Sequence, residues 1–332
     1  MEKNRSIPSL TGKTVVITGA SSGVGLATAE AFAKAGCNVV LASRGQEALN
    51  QAVEYCRSLG TKAIGVGTDV SEITQIKTLM EEALKVSGRI DFWVNNAGVM
   101  ASGRFEEIPI EVSHQVVKTN LLGYLNSAHA ILPIFKQQGY GVLINNVSIG
   151  GFMPAPYSAV YSATKFGIKG MMECLQGELS NEPNIHICNL YPQIQRSTGN
   201  MHSAKYSGLD FKIPPFAADP RDTAAQLLKL AIHPQKDKFP DFSSLALKTL
   251  HGILPKILVN TASSGMRLLM EIKDGAPTSG NVLGPSAAPH QIYGETLVPV
   301  PSKKAKMAAG VGLVLGFGLI LLSRGKSGYL KL

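Results

Sequence analysis

KTVVITGASSGVG, residues Lys13–Gly25, decides the fold of this chain. The β-branched run Lys13–Thr18 is typical of a buried strand, and an alanine-rich amphipathic helix follows the glycines to about Ala35. A second strand, Asn38–Ala42, comes at the distance expected of a βαβ unit. The glycines either form only a turn or, with the free N–H groups of the helix start, bind a pyrophosphate. The order of strand, turn and helix favours nucleotide binding.

Six short apolar runs, including the two strands above, predict the sheet. We expect a single α/β domain of the doubly wound Rossmann type, with a mainly parallel sheet and helices on both faces. Polar residues follow the last three strands, at the edge where such sheets bind ligands. The predicted strands are Thr14–Thr18, Asn38–Ala42, Ala63–Gly67, Phe92–Asn95, Gly141–Val147 and Ile185–Leu190.

The end of the second strand predicts the choice of nucleotide. An acidic residue there would bind the 2′-hydroxyl of NAD, and the chain has Ser43 and Arg44 instead. A hydroxyl and a guanidinium suit a 2′-phosphate, so we expect NADP(H) rather than NAD(H). In the alternative interpretation, Arg44 is only a solvated residue at the start of a helix.

Tyr161, Lys165 and Ser148 suggest proton transfer. A phenol of ordinary pKa is a poor acid or base at neutral pH. Lys165 lies one helical turn after Tyr161, so its ammonium can stabilise the phenolate. Lowering the tyrosine pKa from ~10 to ~7 needs roughly 4 kcal/mol, which we expect from this cation and an oxidised nicotinamide together. Ser148, at a strand end, can hydrogen-bond a substrate oxygen. The alternative is a surface tyrosine on an amphipathic helix.

From about Leu10 to Ser197 the motifs and their order resemble those of the short-chain dehydrogenase/reductase family. TGASSGVG resembles its phosphate loop, and Asp69-Val70 the pair that contacts adenine. Asn95-Asn96-Ala97-Gly98 resembles the segment that steadies the central sheet and lines the cofactor. The resemblance implies the following cofactor-binding residues: Gly19, Ser21, Ser22, Gly23, Val24, Gly25, Ser43, Arg44, Asp69, Val70, Asn96, Ala97, Gly98, Tyr161, Lys165, Pro192, Ile194 and Ser197.

The same resemblance implies a catalytic tetrad of Asn120, Ser148, Tyr161 and Lys165. Tyr161 would donate or accept the proton, and Lys165 would bind the nicotinamide ribose and tune the tyrosine. Ser148 would hold the carbonyl oxygen, and Asn120 would position a water in a proton relay.

Two features depart from the family pattern. Pro192 is followed by glutamine where the family usually has glycine. The interval from Asn120 to Ser148 is also a few residues long, and we expect a longer loop near Gln137–Gly141 to absorb it.

Composition narrows the class of protein. The 332 residues accommodate one α/β domain and an extension. The four cysteines are scattered, which predicts a reducing compartment. The N-terminus is polar, so no signal peptide is expected there. The histidines lack the spacing of metal ligands, so no catalytic metal is expected. Six lysines and arginines beyond Glu295 account for most of the formal charge of +9, leaving +3 for the rest. Nucleic-acid binding is therefore not expected.

The C-terminal part suggests a membrane anchor. The run MAAGVGLVLGFGLILL, Met307–Leu322, has no charged side chain and lies between Lys306 and Arg324. As a helix it would span about 24 Å, so snorkelling of these basic residues or local thinning must complete the crossing of a ~30 Å bilayer core. The alternative is a buried element or an apolar segment on the protein surface. We expect a single-pass membrane protein with its catalytic domain in the cytosol.

The predicted organisation has five parts. These are the Rossmann domain (1–240), an amphipathic helical extension (241–274), a Pro/Gly-rich basic linker (275–306), the candidate transmembrane helix (307–323) and a basic tail (324–332). Residues Met201–Phe216 are expected to cover the substrate. A predicted helix at Phe242–Leu258 either packs on the body or lies on a membrane or over the substrate.

These features together predict an NADP(H)-dependent oxidoreductase that reduces a lipophilic ketone or aldehyde. Helices starting near Glu111 and Tyr157 resemble those through which relatives form dimers, so a homo-oligomer is expected. Two alternatives remain: an epimerase or dehydratase on the same fold, and a non-catalytic, NADP-binding membrane scaffold.

Overall fold

The computed structural model describes residues 10–209, 213–214, 217–272, 275–285 and 291–295. The strands are β1 (Thr14–Thr18), β2 (Asn38–Ser43), β3 (Ala63–Gly67), β4 (Phe92–Asn95), β5 (Ala101–Ser102), β6 (Gly141–Asn146), β7 (Ile185–Leu190), β8 (Ala204–Lys205) and β9 (Asp237–Lys238). The α-helices are α1 (Gly23–Lys34), α2 (Gln46–Ser58), α3 (Ile73–Ser87), α4 (Ile110–Val117), α5 (Gly123–Gln138), α6 (Ala159–Glu178), α7 (Pro220–Ile232), α8 (Phe242–Ile253) and α9 (Pro255–Ile272).

Seven strands form one parallel sheet in the order β3-β2-β1-β4-β6-β7-β9. The predicted doubly wound α/β fold is therefore confirmed, and the six predicted strands end within one residue of the observed ones. The chain reverses its direction across the sheet between β1 and β4, which creates the crevice where such folds bind ligands. The edge strand β9 was not predicted, because two residues carry no periodic pattern.

Alternation along the strands builds a core on each face. Val15 and Ile17 of β1 pack toward α1, α2 and α7, whereas Val16 packs toward α3, α5 and α6. All three side chains are fully buried. Parallel strands covered on both faces are expected to be apolar throughout, as β1 is.

A ladder of amides crosses the second of these cores. Asn95 Nδ2 donates to Asn145 Oδ1 at 2.9 Å, and Asn145 Nδ2 donates to Asn189 Oδ1 at 3.0 Å. Asn189 Nδ2 continues to Asp237 at 3.2 Å, and Trp93 Nε1 donates to Asn95 at the other end. The three asparagines are in register on β4, β6 and β7 and are at most 1% exposed. Paired amides avoid the free-energy cost of burying them unsatisfied.

The predicted helix at Phe242–Leu258 is wrong in its extent. Two helices occupy the region, and Pro255 begins the second of them. Proline lacks the N–H that a continuous helix would need there, and its ring clashes with the preceding turn, but it fits a first helical position.

The predicted long loop near Gln137–Gly141 is also wrong. Only Gly139 and Tyr140 separate α5 from β6. Gly139 ends the helix in the left-handed conformation, with φ of +71°. The interval is taken up by helix instead, including a π-helical turn at Lys118–Leu122.

Part of the predicted linker packs on the domain. Val282 is fully buried and Ile292 is 9% exposed. In residues 10–209, 213–214, 217–272, 275–285 and 291–295, no helix has both the length and the apolar character for a membrane span. The candidate transmembrane helix at 307–323 and the basic tail at 324–332 lie outside the described residues.

We expect Asn145→Ala to lower the free energy of unfolding by about 2–4 kcal/mol, because it leaves a buried donor on Asn95 and a buried acceptor on Asn189 unpaired. Urea denaturation measures the change. Asn50→Ala is the control, since its hydrogen bond with Gln46 is exposed, and it should cost under about 0.5 kcal/mol. Equal losses of unfolding free energy for the two substitutions would show that the buried ladder stabilises the fold no more than an exposed hydrogen bond does.

Candidate active site

The glycine-rich turn joins β1 to α1 and touches the end of β4. Thr18 Oγ1 accepts hydrogen bonds from the backbone N–H groups of Asn96 and Ala97, at 3.0 and 3.1 Å. Asn96 Nδ2 donates back to the carbonyls of Thr18 and Gly19, at 3.0 and 3.2 Å. Gly19 has φ of +64°, and a Cβ there would lie 2.8 Å from Ala97 Cα. A larger residue would therefore push the two strand ends apart.

Most of the predicted cofactor residues line one cleft above this turn. The structure brings together Gly19, Ser21, Ser22, Gly23, Val24, Gly25, Ser43, Arg44, Asp69, Val70, Asn96, Ala97, Gly98 and Ser197. These side chains and backbone segments come from the ends of β1, β2, β3 and β4 and from the loop after β7. Tyr161, Lys165, Pro192 and Ile194 are not part of this lining.

The cleft also contains residues that the sequence interpretation missed. Asn146 follows the ladder on β6, and its Nδ2 donates to Asn96 Oδ1 at 2.9 Å. The doublet Asn145-Asn146 at a strand end was a usable signal. Asn281 and Pro285 had none, because nothing in the sequence ties them to residues 240 positions away. The other missed lining residues are Gly45, Thr68, Val99, Thr119, Gly199 and His202.

The residues of the cleft fit a dinucleotide. Gly23 has φ of +56° at the first position of α1, and Ser22 before it makes no side-chain cap. The helix start therefore offers backbone N–H groups and positive potential to a pyrophosphate. A Cβ on Gly25 would lie 2.0 Å from Gly19 O, so only glycine lets α1 start this close to the turn. In the described part of the chain, the buried Asn146 Oδ1 has no hydrogen-bond partner, which leaves an acceptor for a ligand.

Arg44 differs from the interpretation of a solvated residue. Its guanidinium donates to the carbonyls of Asn281, Val282 at 3.2 Å and Gly284 at 3.5 Å. It faces the nucleotide cleft and is also held by the C-terminal part of the chain.

Ser148 follows β6 in a strained conformation. Its φ of +125° and ψ of +152° lie in a region that is essentially confined to glycine and costs about 1–3 kcal/mol. Its Oγ accepts a hydrogen bond from Gly150 N at 3.1 Å. Because this bond uses a lone pair of the oxygen, the hydroxyl hydrogen remains able to donate to another group.

Lys165 is 4% exposed on α6, and its Nζ lies 5.4 Å from the ring centres of both Tyr161 and Tyr124. Burial lowers the pKa of Lys165 from its usual 10.5 to about 7. A Cβ placed on Gly98 would lie 3.9 Å from this Nζ, so the amine adjoins the nucleotide cleft.

Burial raises the pKa of Tyr161 above its ordinary value, and a hydrogen bond with Ser148 opposes the rise only in part. The expectation that the neighbouring lysine lowers the tyrosine pKa is therefore not met by the chain alone. Desolvation dominates because both side chains lie in the same low-dielectric surroundings, where charge on either is disfavoured.

Asn120 lies in the π-helical turn at Lys118–Leu122 and is fully buried. Its side chain pairs with both backbone groups of Val99, at 2.8 and 2.9 Å, and donates to Thr164 Oγ1 at 3.2 Å. Both amide hydrogens are thus used within the chain. The amide ties the segment after Gly98 to α6, and its role in a proton relay stays a prediction. Such π-turns are frequent at functional sites.

Pro192 and Ile194 hold the surrounding turns through their backbones. Pro192 O accepts from Ile149 N at 2.9 Å, next to Ser148, and Ile194 O accepts from Ala218 N at 2.9 Å. The glutamine after Pro192 therefore leaves the Ser148 turn attached to the end of β7.

We expect Ser148→Gly to unfold at a higher urea concentration than Ser148→Ala, with a difference in free energy of about 1 kcal/mol. Both changes remove the hydroxyl and its bond with Gly150, but only glycine adopts the observed φ without strain. A Ser148→Ala protein as stable as the glycine variant would show that the backbone is unstrained.

The pKa of Lys165 predicts a pH dependence of stability. Between pH 7 and 10.5 the unfolded chain keeps the proton that the folded chain has lost, so the free energy of unfolding rises with pH across this window. Lys165→Met abolishes that titration. We expect the wild-type minus variant difference to increase by about 2–4 kcal/mol from pH 6 to pH 10, in urea denaturation without cofactor.

Lys136→Met is the control for this measurement, because that lysine is exposed near the end of α5. Its difference from wild type should stay flat over the same range. A flat difference for Lys165→Met as well would mean that the buried amine keeps its ordinary pKa.

Comparison with known proteins places this geometry in a family. The chain is 30% identical over 253 residues to an uncharacterised oxidoreductase, YxnA of Bacillus subtilis, covering 75% of this chain and 70% of that one. It is 31% identical over 251 residues to dehydrogenase/reductase SDR family member 7B of Danio rerio, covering 71% and 80%. The ketoacyl reductase HetN of Nostoc sp. is 35% identical over 170 residues, which are 51% of this chain but only 59% of HetN.

Solved structures agree with the sequence relatives. A short chain dehydrogenase/reductase of Burkholderia phymatum in complex with NAD has a TM-score of 0.67 at 25% identity, covering 75% of this chain and 95% of that one. An alcohol dehydrogenase of the archaeon Thermococcus sibiricus, complexed with 5-hydroxy-NADP, has a TM-score of 0.60 at 25% identity, covering 68% and 95%. The profile of the short chain dehydrogenase family matches residues 13–206, and this chain therefore belongs to that family.

Proposed function

We propose that the chain is an NADP(H)-dependent oxidoreductase that reduces a ketone or aldehyde to an alcohol. The observation that carries the proposal is the position of Lys165 Nζ, which adjoins both the glycine-lined cleft at Gly98 and the ring of Tyr161. A nucleotide in this cleft and a proton donor beside it are the two parts that carbonyl reduction needs. The name of the Nostoc relative, a ketoacyl reductase, agrees with this reaction class.

Ser148 and Tyr161 would act on the carbonyl oxygen. The Ser148 hydroxyl, whose oxygen already accepts from Gly150 N, donates its hydrogen to the substrate oxygen and fixes its position. Tyr161 Oη, which lies next to Ser148, transfers its proton to the same oxygen as negative charge develops there. When bound, the nicotinamide supplies the hydride for the carbonyl carbon.

Burial sets the direction of the proton transfer. The raised pKa of Tyr161 keeps the phenol protonated at neutral pH, ready to act as the acid. Lys165, with a pKa of about 7, gains or loses a proton near neutrality and can return a proton to Tyr161 after each turnover. This arrangement suits reduction better than oxidation, which would need an ionised phenol.

The preference for NADP(H) over NAD(H) is supported by Ser43 and Arg44 at the end of β2, the position where an acidic residue would bind the 2′-hydroxyl of NAD. A lipophilic substrate and attachment to a bilayer are further parts of the proposal. They are supported by the apolar run Met307–Leu322 and by exposed side chains on α8 and α9, namely Phe242 (75% exposed), Ile253 (69%) and Leu268 (56%). The cytosolic side of the membrane and assembly into a homo-oligomer are proposed with it.

We expect Tyr161→Phe to lower kcat about 10²–10⁴-fold in a spectrophotometric assay of NADPH consumption, while the Kd for NADPH changes less than about threefold. Phenylalanine keeps the packing of the ring and removes the hydroxyl group that carries the transferred proton. Tyr55→Phe, at a partly exposed position on α2, is the control and should retain full activity.

The assay also separates the alternatives. An epimerase or dehydratase would turn over substrate without net loss of NADPH, and a scaffold would be indifferent to the Tyr161 change. Long-chain and polycyclic carbonyls should be reduced with higher kcat/KM than small polar ones. The reverse preference would refute the lipophilic substrate while leaving the reductase intact.

A further inference from the structure

Two stretches of the C-terminal part, 281–285 and 291–294, lie on the rim of the nucleotide cleft, and we call them the strap. The first contacts the end of β2 through Arg44 and Gly45, and the second contacts the start of α1 at Gly23. These are the two places where the 2′ end and the pyrophosphate of a dinucleotide are expected.

The first stretch is anchored in the core. Val282 is fully buried in a cluster with Val99 and Val116. Asn281 N donates to His202 O at 2.7 Å, and Asn281 itself lines the cleft. The buried Val282 therefore fixes the position of the neighbouring carbonyls that accept hydrogen bonds from Arg44.

The second stretch is held more firmly still. The guanidiniums of Arg196 and Arg221 lie 4.6 and 5.3 Å from the ring centre of Tyr293, and the Tyr293 hydroxyl donates to Asp219 at 3.1 Å. Ile292 is buried in the core that contains α1 and α7. Two cation–π contacts and a hydrogen bond from the hydroxyl therefore hold this ring in place.

The strap uses donors that a dinucleotide would need. Gln291 O accepts from Gly23 N at 3.0 Å, and Gly23 is the first residue of the helix that faces the pyrophosphate. At the other end, Arg44 Nη2 donates to Asn281 and Gly284, and Nη1 donates to Val282. A guanidinium binds phosphate through two parallel N–H bonds, either from both Nη atoms or from Nε and Nη2. Both pairs include Nη2, whose hydrogens the strap already engages.

The two nicotinamide nucleotides meet this arrangement differently. A 2′-phosphate is an anion, so it attracts the guanidinium by its charge as well as accepting its hydrogen bonds, whereas the strap carbonyls are neutral acceptors. It also repels carbonyl oxygens in the same place. A 2′-hydroxyl can instead donate to an acceptor, and the buried Asn281 Oδ1 has no hydrogen-bond partner among the described residues. The cleft with the strap docked is therefore compatible with the 2′-hydroxyl of NAD(H), whereas binding of the 2′-phosphate of NADP(H) requires the strap to leave Arg44.

We propose that the strap competes with the 2′-phosphate of the cofactor for Arg44, and that its displacement decides the discrimination between NADP(H) and NAD(H). The inference rests on the proposed use of NADP(H). The strap in this view acts as a specificity element contributed by the chain's own C-terminal part.

A reversible disulfide between the strap and the rim tests this. A Cβ on Gly45 would lie 3.6 Å from Pro285 Cβ, within the ~3.5–4.5 Å that a disulfide spans. The protein carries Gly45→Cys and Pro285→Cys together with Cys174→Ser, since Cys174 is exposed and the other three cysteines are buried. Fluorescence titration gives the Kd values for NADPH and NADH in the oxidised form and after reduction with dithiothreitol.

We expect the reduced protein to prefer NADPH, and oxidation to weaken NADPH binding at least tenfold while NADH changes less than threefold. Reduction should restore the preference. Equal weakening of both nucleotides, unchanged affinities, or tighter NADPH binding in the oxidised form would each overturn the competition. A reduced and wild-type protein without any NADPH preference would instead refute the proposed cofactor.

A second variant tests the opposite direction. Val282→Ala removes most of the buried side chain that anchors the stretch 281–285, whose carbonyls bind Arg44, so the ratio of the NADH and NADPH Kd values should rise severalfold in favour of NADPH. Leu283→Ala is the control, because this side chain is on the strap but 54% exposed. A ratio that falls, or that matches the control, would overturn the proposal even if the disulfide protein did not fold.

Discussion

Hydrogen bonds between the ends of β1 and β4 are the constraint on which the site depends. Thr18 and Asn96 pair through backbone and side chain, with two hydrogen bonds of 3.0 Å, where the sheet reverses its strand order. They fix the distance between the glycine turn, which forms one side of the cleft, and the Asn96–Gly98 segment, which also lines it. Without them a parallel sheet would still form, but the crevice at the switch point would have no fixed width.

The three side chains that we propose for proton transfer, Ser148, Tyr161 and Lys165, are placed by burial and strain. Lys165 and Tyr161 are both disfavoured in their charged forms, and Ser148 has a backbone conformation that suits glycine. Such costs persist where the surrounding structure compensates for them, and here the amide ladder and the Asn120 contacts supply rigid packing behind the site. The arrangement of these side chains therefore depends on stability contributed elsewhere in the fold.

The strap changes the meaning of the Arg44 motif. Read from the sequence, an arginine at the end of β2 selects a 2′-phosphate; in the structure it already has three carbonyl partners. In our proposal, the 2′-phosphate of the cofactor and the backbone carbonyls of the strap compete for this guanidinium. Membership of the family follows from the motifs of residues 13–206, whereas the strap lies beyond them.

The sequence by itself determined the fold class, six of the seven strands of the main sheet and most of the cleft, because the period of the apolar residues and the glycine turn act over short distances. It failed at Pro255, which begins a second helix where the pattern predicted one continuous helix. It also failed at Gly139, which ends α5 where the spacing predicted a long loop. Only the tertiary structure decided the pKa directions of Tyr161 and Lys165, the partners of Asn120 and the docking of Asn281 on Arg44. Desolvation and contacts between residues far apart in the chain exist only once the chain has packed, so no local pattern encodes them.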